Sequence, residues 1–202
     1  MRSIRAILPM FCFAVLLTSC IKVSRRKFSF NFVTGEIQQV YRDLSSNLSP
    51  RKDSNAKDCD DATECSPAKD WAGLKEMVAE KKPEFDSDVV EDISKVLFEE
   101  NKVLCGRKIQ KVKCPKCFPS KAAILSYLHD KDWRFDLVND EVVLFLPPEK
   151  KIISTNGQSV TTSSNSVIIW PQDTTKFEYE VSEDSTGVTS LLPYYLKEKN
   201  GK

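Results

Sequence analysis

The sequence contains few of the residues from which catalytic sites are commonly built. It has a single histidine, His129, and only six glycines among 202 residues. The motifs G-x-S-x-G, H-E-x-x-H, G-x-x-x-x-G-K-[ST] and G-x-G-x-x-G do not occur in it. Their absence argues against a serine hydrolase, a zinc protease or a nucleotide-binding enzyme, and the sequence predicts no cofactor. His129 lies beside Asp130 in an amphipathic segment and is interpreted as a surface helix residue.

The chain also lacks an excess of charge of either sign. Thirty basic and 29 acidic side chains leave a formal net charge of +1. Proteins that bind nucleic acid usually present a broad basic surface to the phosphate backbone, so no nucleic-acid partner is predicted. Hydrophobic residues make up 41% of the chain, which favours a folded domain with a proper core.

The apolar run at residues 6–17 is too short for a transmembrane helix, which needs roughly 20 residues. Arg2 and Arg5 precede this run, and the chain turns polar at Lys22. Positive charge followed by a short apolar segment is typical of a secretory signal peptide. We therefore predict that the segment directs export.

The segment Leu17-Thr18-Ser19-Cys20 resembles the lipobox of bacterial lipoproteins, in which a leucine stands three residues before the cysteine and a small residue directly before it. The resemblance covers these four residues and their context. It implies that residues 1–19 are removed as a signal peptide and that Cys20 becomes an N-terminus carrying fatty acyl chains such as palmitate. Two or more acyl chains hold a protein stably on a membrane, whereas one binds marginally. The alternative is an ordinary cysteine beside an ordinary cleavage site.

Residues 20–27 are predicted to be a lipidated basic tether. Lys22, Arg25, Arg26 and Lys27 follow the anchor, and each can gain about 1 kcal/mol beside anionic headgroups, although a solvated tether fits equally well. Ile21 stands where inner-membrane retention in many Gram-negative bacteria would favour aspartate, so the resemblance points to the outer membrane of the cell envelope.

Five cysteines remain beyond the signal peptide and the anchor: Cys59, Cys65, Cys105, Cys114 and Cys117. The odd number leaves at least one thiol free or paired between molecules. Cys59 and Cys65 bracket a short acidic loop that a disulfide can close, and Cys105 with Cys114 is a second candidate bridge. The acidic residues of that loop, Asp58, Asp60, Asp61 and Glu64, do not match an EF-hand spacing, so no metal site is predicted.

Cys114-Pro-Lys-Cys117 is the sharpest chemical motif, and it admits three interpretations. It resembles the redox pair of thioredoxin-like oxidoreductases, in which a helix N-terminus activates the thiolate. Here Phe118-Pro119 intervenes and Ser120 is typical of the N-cap of the next helix. The motif also resembles a zinc knuckle, but a zinc ribbon needs a second close pair. A structural disulfide is favoured, because export implies an oxidising compartment.

Along the chain, strands precede helices and further strands follow. The pattern predicts a hairpin at residues 27–43, a polar cysteine-containing loop at residues 45–66, and helices starting at Ser66-Pro67, running from Ser87 to Leu104, and from Ser120 to about Asp130. Extended segments are predicted at residues 133–138, 142–146, 151–155, 158–162, 167–170 and 177–181. Asn156-Gly157 is a strong signal for a hairpin between residues 151–155 and 158–162.

Together these patterns predict an α+β fold, with an antiparallel sheet of hairpins or a meander packed by about three helices. Residues 28–181 are expected to form the single domain and residues 182–202 a polar tail, whose apolar patch at 191–196 covers a sheet edge or binds a partner. The favoured function is a non-enzymatic structural or binding lipoprotein, whose partners are membrane lipid and an envelope protein or other ligand. The alternative is a periplasmic thiol oxidoreductase that uses Cys114 and Cys117.

Overall fold

The computed structural model describes residues 21–47, 66–79, 85, 88–129, 133–162, 165–183 and 185–201. These residues form two antiparallel sheets and three α-helices. The predicted mixture of helices and antiparallel strands is confirmed. The fold is mostly β, and its strands divide between two sheets rather than one.

The larger sheet is built from seven strands: β1 (Ile21–Asn31), β2 (Glu36–Ser46), β3 (Val90–Glu100), β4 (Val103–Val112), β7 (Lys151–Thr155), β10 (Lys176–Ser182) and β11 (Thr189–Ser190). Their order is β3-β4-β2-β1-β10-β7, and β11 pairs with the end of β2. The smaller sheet contains β5 (Arg134–Val138), β6 (Glu141–Leu146), β8 (Gln158–Thr161) and β9 (Ser166–Trp170) in the order β5-β6-β9-β8. The helices are α1 (Pro67–Ala79), α2 (Lys121–Tyr127) and α3 (Leu192–Asn200).

One hydrophobic cluster joins the two sheets to α2. Alternate residues of β1 and β10 point into it, as the period of two along a strand requires. Its fully buried members include Phe28, Phe30, Phe177 and Tyr179 of the larger sheet, Leu144, Ile168 and Trp170 of the smaller sheet, and Ile124 and Leu125 of α2.

A second cluster lies where α1 and α3 meet the larger sheet. Trp71 and Leu74 of α1 pack there with Leu44, Leu104 and Leu191. The two helices are also joined by polar contacts, because the Trp71 Nε1 donates to Glu198 at 3.3 Å and Lys75 pairs with the same carboxylate at 2.8 Å.

The predicted hairpin at residues 27–43 is confirmed as β1 and β2, which pair from Ile21 with Ser46 to Phe30 with Ile37. Gly35 closes the turn with a φ of +75°, and a Cβ at this position would collide with the Val112 carbonyl oxygen. The helices predicted after Ser66-Pro67 and Ser120 are also confirmed as α1 and α2. The Ser120 hydroxyl caps α2 by accepting a hydrogen bond from the Ala123 N–H at 3.0 Å.

The helix predicted from Ser87 to Leu104 is wrong, because the segment from Val90 onwards forms the β3–β4 hairpin. The register shifts between Asp92 and Ser94, so a bulge at Ile93 breaks the alternation of apolar residues and leaves a spacing that imitates a helix. The turn itself uses Asn101 and Lys102, both with positive φ, without the glycine that usually marks such turns. Gly106 lies inside β4 opposite Leu97 and ends no helix.

The hairpin predicted at Asn156-Gly157 is also wrong. Thr155 pairs with Tyr179 in the larger sheet, whereas Gln158 pairs with Ile169 in the smaller sheet. The chain therefore crosses between sheets at this dipeptide. The Asn156 side chain stabilises this crossing. Its Oδ1 accepts hydrogen bonds from the Trp170 Nε1 at 2.8 Å and from the Glu178 N–H at 2.9 Å. Its Nδ2 donates to the Lys176 carbonyl at 2.7 Å.

Both ends of the described chain belong to the folded body. Residues 21–27, expected in a basic tether, form the first part of β1 and pair with β2. In the C-terminal segment, β11 joins β2 and is followed by α3. The patch at residues 191–196 covers part of the larger sheet together with α1, because the fully buried Leu191 and the half-buried Leu192 and Tyr195 pack into the second cluster.

The Asn156→Ala variant is expected to lower the free energy of unfolding by about 2–3 kcal/mol, because it leaves the indole N–H of fully buried Trp170 without its acceptor. Chemical denaturation measures the loss. The Gln158→Ala variant, at an exposed position two residues further on, is the matched control and should change stability by less than about 0.5 kcal/mol. Equal losses in the two variants would contradict this role for Asn156.

Candidate functional site

Cys20, Cys59 and Cys65 lie outside the described residues, as do the acidic side chains between the last two. The lipidation of Cys20 and the bridge between Cys59 and Cys65 therefore stay predictions. The structure does place the other three candidate cysteines, and it separates them into a surface pair and a buried thiol.

Cys114 and Cys117 form a disulfide in the exposed turn between β4 and α2. The segment Pro115–Cys117 is one turn of 3-10 helix, in which the Cys117 N–H donates to the Cys114 carbonyl at 3.1 Å. An open depression beside the pair is lined by Asp88, Val89, Phe118 and Pro119. The disulfide is thus accessible from solvent next to a partly apolar surface.

The local backbone separates this pair from the start of a helix. Phe118 is extended, with ψ of 146°, and α2 begins only at Lys121 behind its Ser120 cap. In thiol oxidoreductases the attacking thiolate is stabilised at a helix N-terminus, where N–H groups point toward the sulfur. The intervening segment removes that source of activation, and the turn is better suited to a structural disulfide.

Cys105 is fully buried in β4, and its thiol lies 3.9 Å from the Val103 carbonyl. The candidate bridge between Cys105 and Cys114 is wrong. Nine residues of mostly extended chain, about 30 Å at 3.3 Å per residue, separate the two cysteines. Cys105 pairs with Arg42 and Phe98 near the start of β4, whereas Cys114 lies beyond the other end of that strand.

His129 is not the surface residue that its sequence context indicated. Its imidazole lies among aromatic rings of both sheets, with ring centroids 4.4 Å from Phe28, 4.7 Å from Phe135 and 5.5 Å from Trp133. Two hydrogen-bonding groups meet its nitrogens: the Leu125 carbonyl lies 2.7 Å from Nδ1, and the Tyr179 hydroxyl contacts Nε2.

These contacts assign the protonation of His129. A carbonyl oxygen can only accept, so Nδ1 carries the proton and Nε2 of the neutral ring accepts from the Tyr179 hydroxyl. Burial lowers the pKa of His129 from 6.5 to about 3, the bond to Leu125 opposes that change, and the positive charge of Arg26 adds to it. The ring is therefore neutral at pH 7.

Arg26 contributes to the same aromatic region from β1. Its guanidinium lies 5.5 Å from the Tyr41 ring centroid and 5.9 Å from that of Trp133, which is a cation–π arrangement on both rings. The sequence interpretation put Arg26 in a basic tether. The period-two pattern of β1 could have identified it, because Arg26, Phe28 and Phe30 fall on one face of the strand.

Lys108 is a second group whose ionisation is perturbed. Burial lowers its pKa from 10.5 to about 8, and its ammonium lies 5.8 Å from the ring centroid of Phe85. It lies in β4 opposite Gln39 and Lys95. Sequence reasoning missed this residue, because the segment around it was not recognised as a strand of the larger sheet.

Within the part of the chain that the structure describes, no three His, Cys, Asp or Glu side chains are grouped so that they could hold a metal ion. No helix among the described residues is long and apolar enough to cross a membrane. No protein-family model, curated protein or solved structure matches the chain. The geometry and the sequence motifs are therefore the basis for a functional proposal.

Lowering the pH from 7.5 to 5 is expected to destabilise the protein by about 1–2 kcal/mol through His129 alone. The pKa of His129 in the folded state lies below its value in the unfolded chain, so the unfolded chain binds more protons as the pH falls below 6.5. Denaturant titrations at both pH values measure this change.

His129→Gln removes the titrating group, so the same pH change should destabilise this variant by correspondingly less. Tyr179→Phe keeps the histidine and the aromatic ring, and should therefore retain the pH dependence while losing about 1 kcal/mol at both pH values. An identical pH dependence in wild type and His129→Gln would show that His129 is not buried in its neutral form.

Proposed function

We propose that the protein is a cell-envelope lipoprotein, held on a membrane by acyl chains on Cys20, with a non-enzymatic structural or binding role. The observation that carries the proposal is the agreement of three features: Arg2 and Arg5, the short apolar run at residues 6–17, and the lipobox-like sequence ending at Cys20. None of the three requires the others. They follow one another in the order that is typical of a lipoprotein signal peptide: positive charge, apolar run, lipobox.

The chemistry of the described residues favours a binding or structural role over catalysis. The one histidine is held neutral among aromatic rings and donates and accepts within the core, so it is poorly placed to serve as a general base for an outside substrate. The disulfide turn lacks an adjacent helix start.

The residue after the anchor supports a location in the outer membrane. Ile21 occupies the position at which aspartate favours retention in the inner membrane of many Gram-negative bacteria. Removal of residues 1–19 takes Arg2 and Arg5 with no acidic residue, so the formal charge of the mature chain changes from +1 to −1. A nearly neutral exported body is consistent with a protein or lipid partner rather than nucleic acid.

The Cys20→Ser variant is expected to lose membrane attachment, because a serine hydroxyl does not replace the thiol that carries the lipid. Intact mass spectrometry of the wild-type protein purified from membranes should show loss of residues 1–19 and the added mass of acyl chains. The variant should lack both the acyl mass and the partitioning into the detergent phase.

A Ser19→Ala variant is the matched control, since it keeps a small residue before the cysteine and should be processed and acylated normally. Detergent partitioning that is unchanged in Cys20→Ser would refute the proposal.

A second candidate function is a thiol oxidoreductase that uses Cys114 and Cys117. The observation that favours it is the exposed disulfide beside the depression lined by Val89 and Phe118, where a substrate segment could reach the sulfur atoms. In such an enzyme Cys114 would attack a substrate disulfide after reduction of the pair. The separation of the pair from α2 makes this the weaker candidate.

Reduced Cys114 is expected to react with iodoacetamide at neutral pH no faster than a cysteine in an unstructured peptide, because no α-helix starts beside it. A catalytic pair, with its attacking thiolate stabilised, would react many times faster than the peptide at the same pH. Rates of iodoacetamide labelling at neutral pH, followed by peptide mass spectrometry, separate the two functions. Buried Cys105 in the same sample is the internal control, because it should remain unlabelled while the protein is folded.

A further inference from the structure

We infer that lipidated Cys20 holds one end of the larger sheet directly on the lipid headgroups, so that the domain has a fixed orientation on its membrane. This inference rests on the proposed function and adds the surface that meets the bilayer. We call that surface the anchor end and define it by Ile21, Lys22, the Asn101-Lys102 turn and Thr189. The partner is the headgroup layer of the membrane that holds the acyl chains.

No flexible linker separates Cys20 from the first strand in the sequence. Strand β1 begins at Ile21, the residue that follows Cys20 in the chain. Ile21 pairs with Ser46, and Ser46 pairs on its other side with Thr189 of β11. A lipid attached one residue before a strand that is paired in this way is not separated from the domain by a long, flexible linker.

Packing beneath the anchor end strengthens the constraint. Ile21 and Val23 contact the second hydrophobic cluster, which contains the buried side chains of Leu44 and Leu191. The Leu191 N–H also donates to the Leu44 carbonyl at 3.3 Å. Releasing the start of β1 as a flexible linker would break its pairing with β2 and remove Ile21 and Val23 from this cluster, so the strand is expected to stay paired on the membrane.

The strand register places a second part of the sheet at the same end. Strand β2 runs toward Ser46, and antiparallel β4 starts at Val103, beyond the pairing of Arg42 with Cys105. The turn before β4, Asn101-Lys102, therefore lies at the end of the sheet where β1 begins. Lys22 and Lys102 are both exposed, so their ammonium groups can meet anionic headgroups.

Among the described residues, two of the acidic groups near the anchor end are engaged within the protein. Glu100 pairs with Arg42, and Glu183 pairs with Lys150 at 2.5 Å. Asp43 and Glu99 remain as negative charges close to the headgroups, so the covalent lipid rather than net charge sets the orientation. The lysines contribute a local preference for anionic lipid.

The opposite end of the sheet lies far from the membrane in this arrangement. About ten residues of β1 separate Ile21 from the turn at residues 32–35, which is about 33 Å at 3.3 Å per residue. Val33 is 67% exposed in that turn. The disulfide turn lies at the same end, because the Gly35 carbonyl accepts from the Val112 N–H at the end of β4. Both features face away from the bilayer, where a partner can approach them.

Depth-dependent fluorescence quenching tests this orientation. The acylated full-length chain, purified from membranes, would carry a fluorescent coumarin amino acid in place of Lys102 or, as the distal control, in place of Val33. Each protein is inserted into vesicles of phosphatidylcholine and phosphatidylglycerol with nitroxide-labelled headgroups. We expect strong quenching at position 102 and no measurable quenching at position 33. Equal quenching at the two positions, or stronger quenching at 33, would overturn the inference.

A flexible linker provides the matched control for the missing tether. Twelve glycine and serine residues inserted between Cys20 and Ile21 allow the domain to move about 20 Å from the anchor. This insertion should keep the protein on the vesicles and abolish most of the quenching at position 102; unchanged quenching would refute the role of the short connection. Vesicle flotation and intact mass distinguish the two proposals. An acylated chain that floats with the vesicles but shows equal quenching at both positions contradicts only the orientation. A chain without acyl mass contradicts the lipoprotein proposal itself.

Discussion

The contact between the inner faces of the two sheets is the constraint on which the rest of this structure depends. Phe28 of β1 lies opposite Tyr179 of β10, and both rings pack toward Trp170 of the smaller sheet and Leu125 of α2. Burial of these large side chains supplies the main driving force for folding. It also encloses the single histidine, so the residue best suited to acid–base chemistry is used to bridge α2 and β10.

The same constraint separates the chemical groups that remain. His129 is half-buried among aromatic rings of both sheets, Cys105 is buried within a strand, and the Cys114–Cys117 disulfide lies at one end of the larger sheet. No catalytic constellation arises among these groups, since the fold keeps them apart. The described body presents a broad sheet with two distinct ends.

Local patterns were sufficient wherever an element depends on its own residues. The β1–β2 hairpin, the caps of α1 and α2 and the β5–β6 hairpin follow from alternation, capping hydroxyls and turn residues that are close in the chain. The wrong predictions concern segments whose structure depends on residues far away in the chain. The bulge at Ile93 makes a hairpin imitate a helix, and Asn156-Gly157 turns into a crossing because Trp170 and Glu178 occupy its hydrogen-bonding groups.

By itself, the sequence determined the short-range elements of a body of helices and antiparallel strands, and it is the source of two predictions, export and acylation at Cys20. Only the tertiary structure decided that there are two sheets, that Cys114 pairs with Cys117, that His129 is neutral among aromatic rings, and that residues 21–27 form the start of β1. The physical reason is the separation along the chain between the residues that interact. Processing signals, caps and turns are set by neighbouring residues, whereas strand pairing and burial depend on residues far apart in the chain, such as Phe28 and Tyr179.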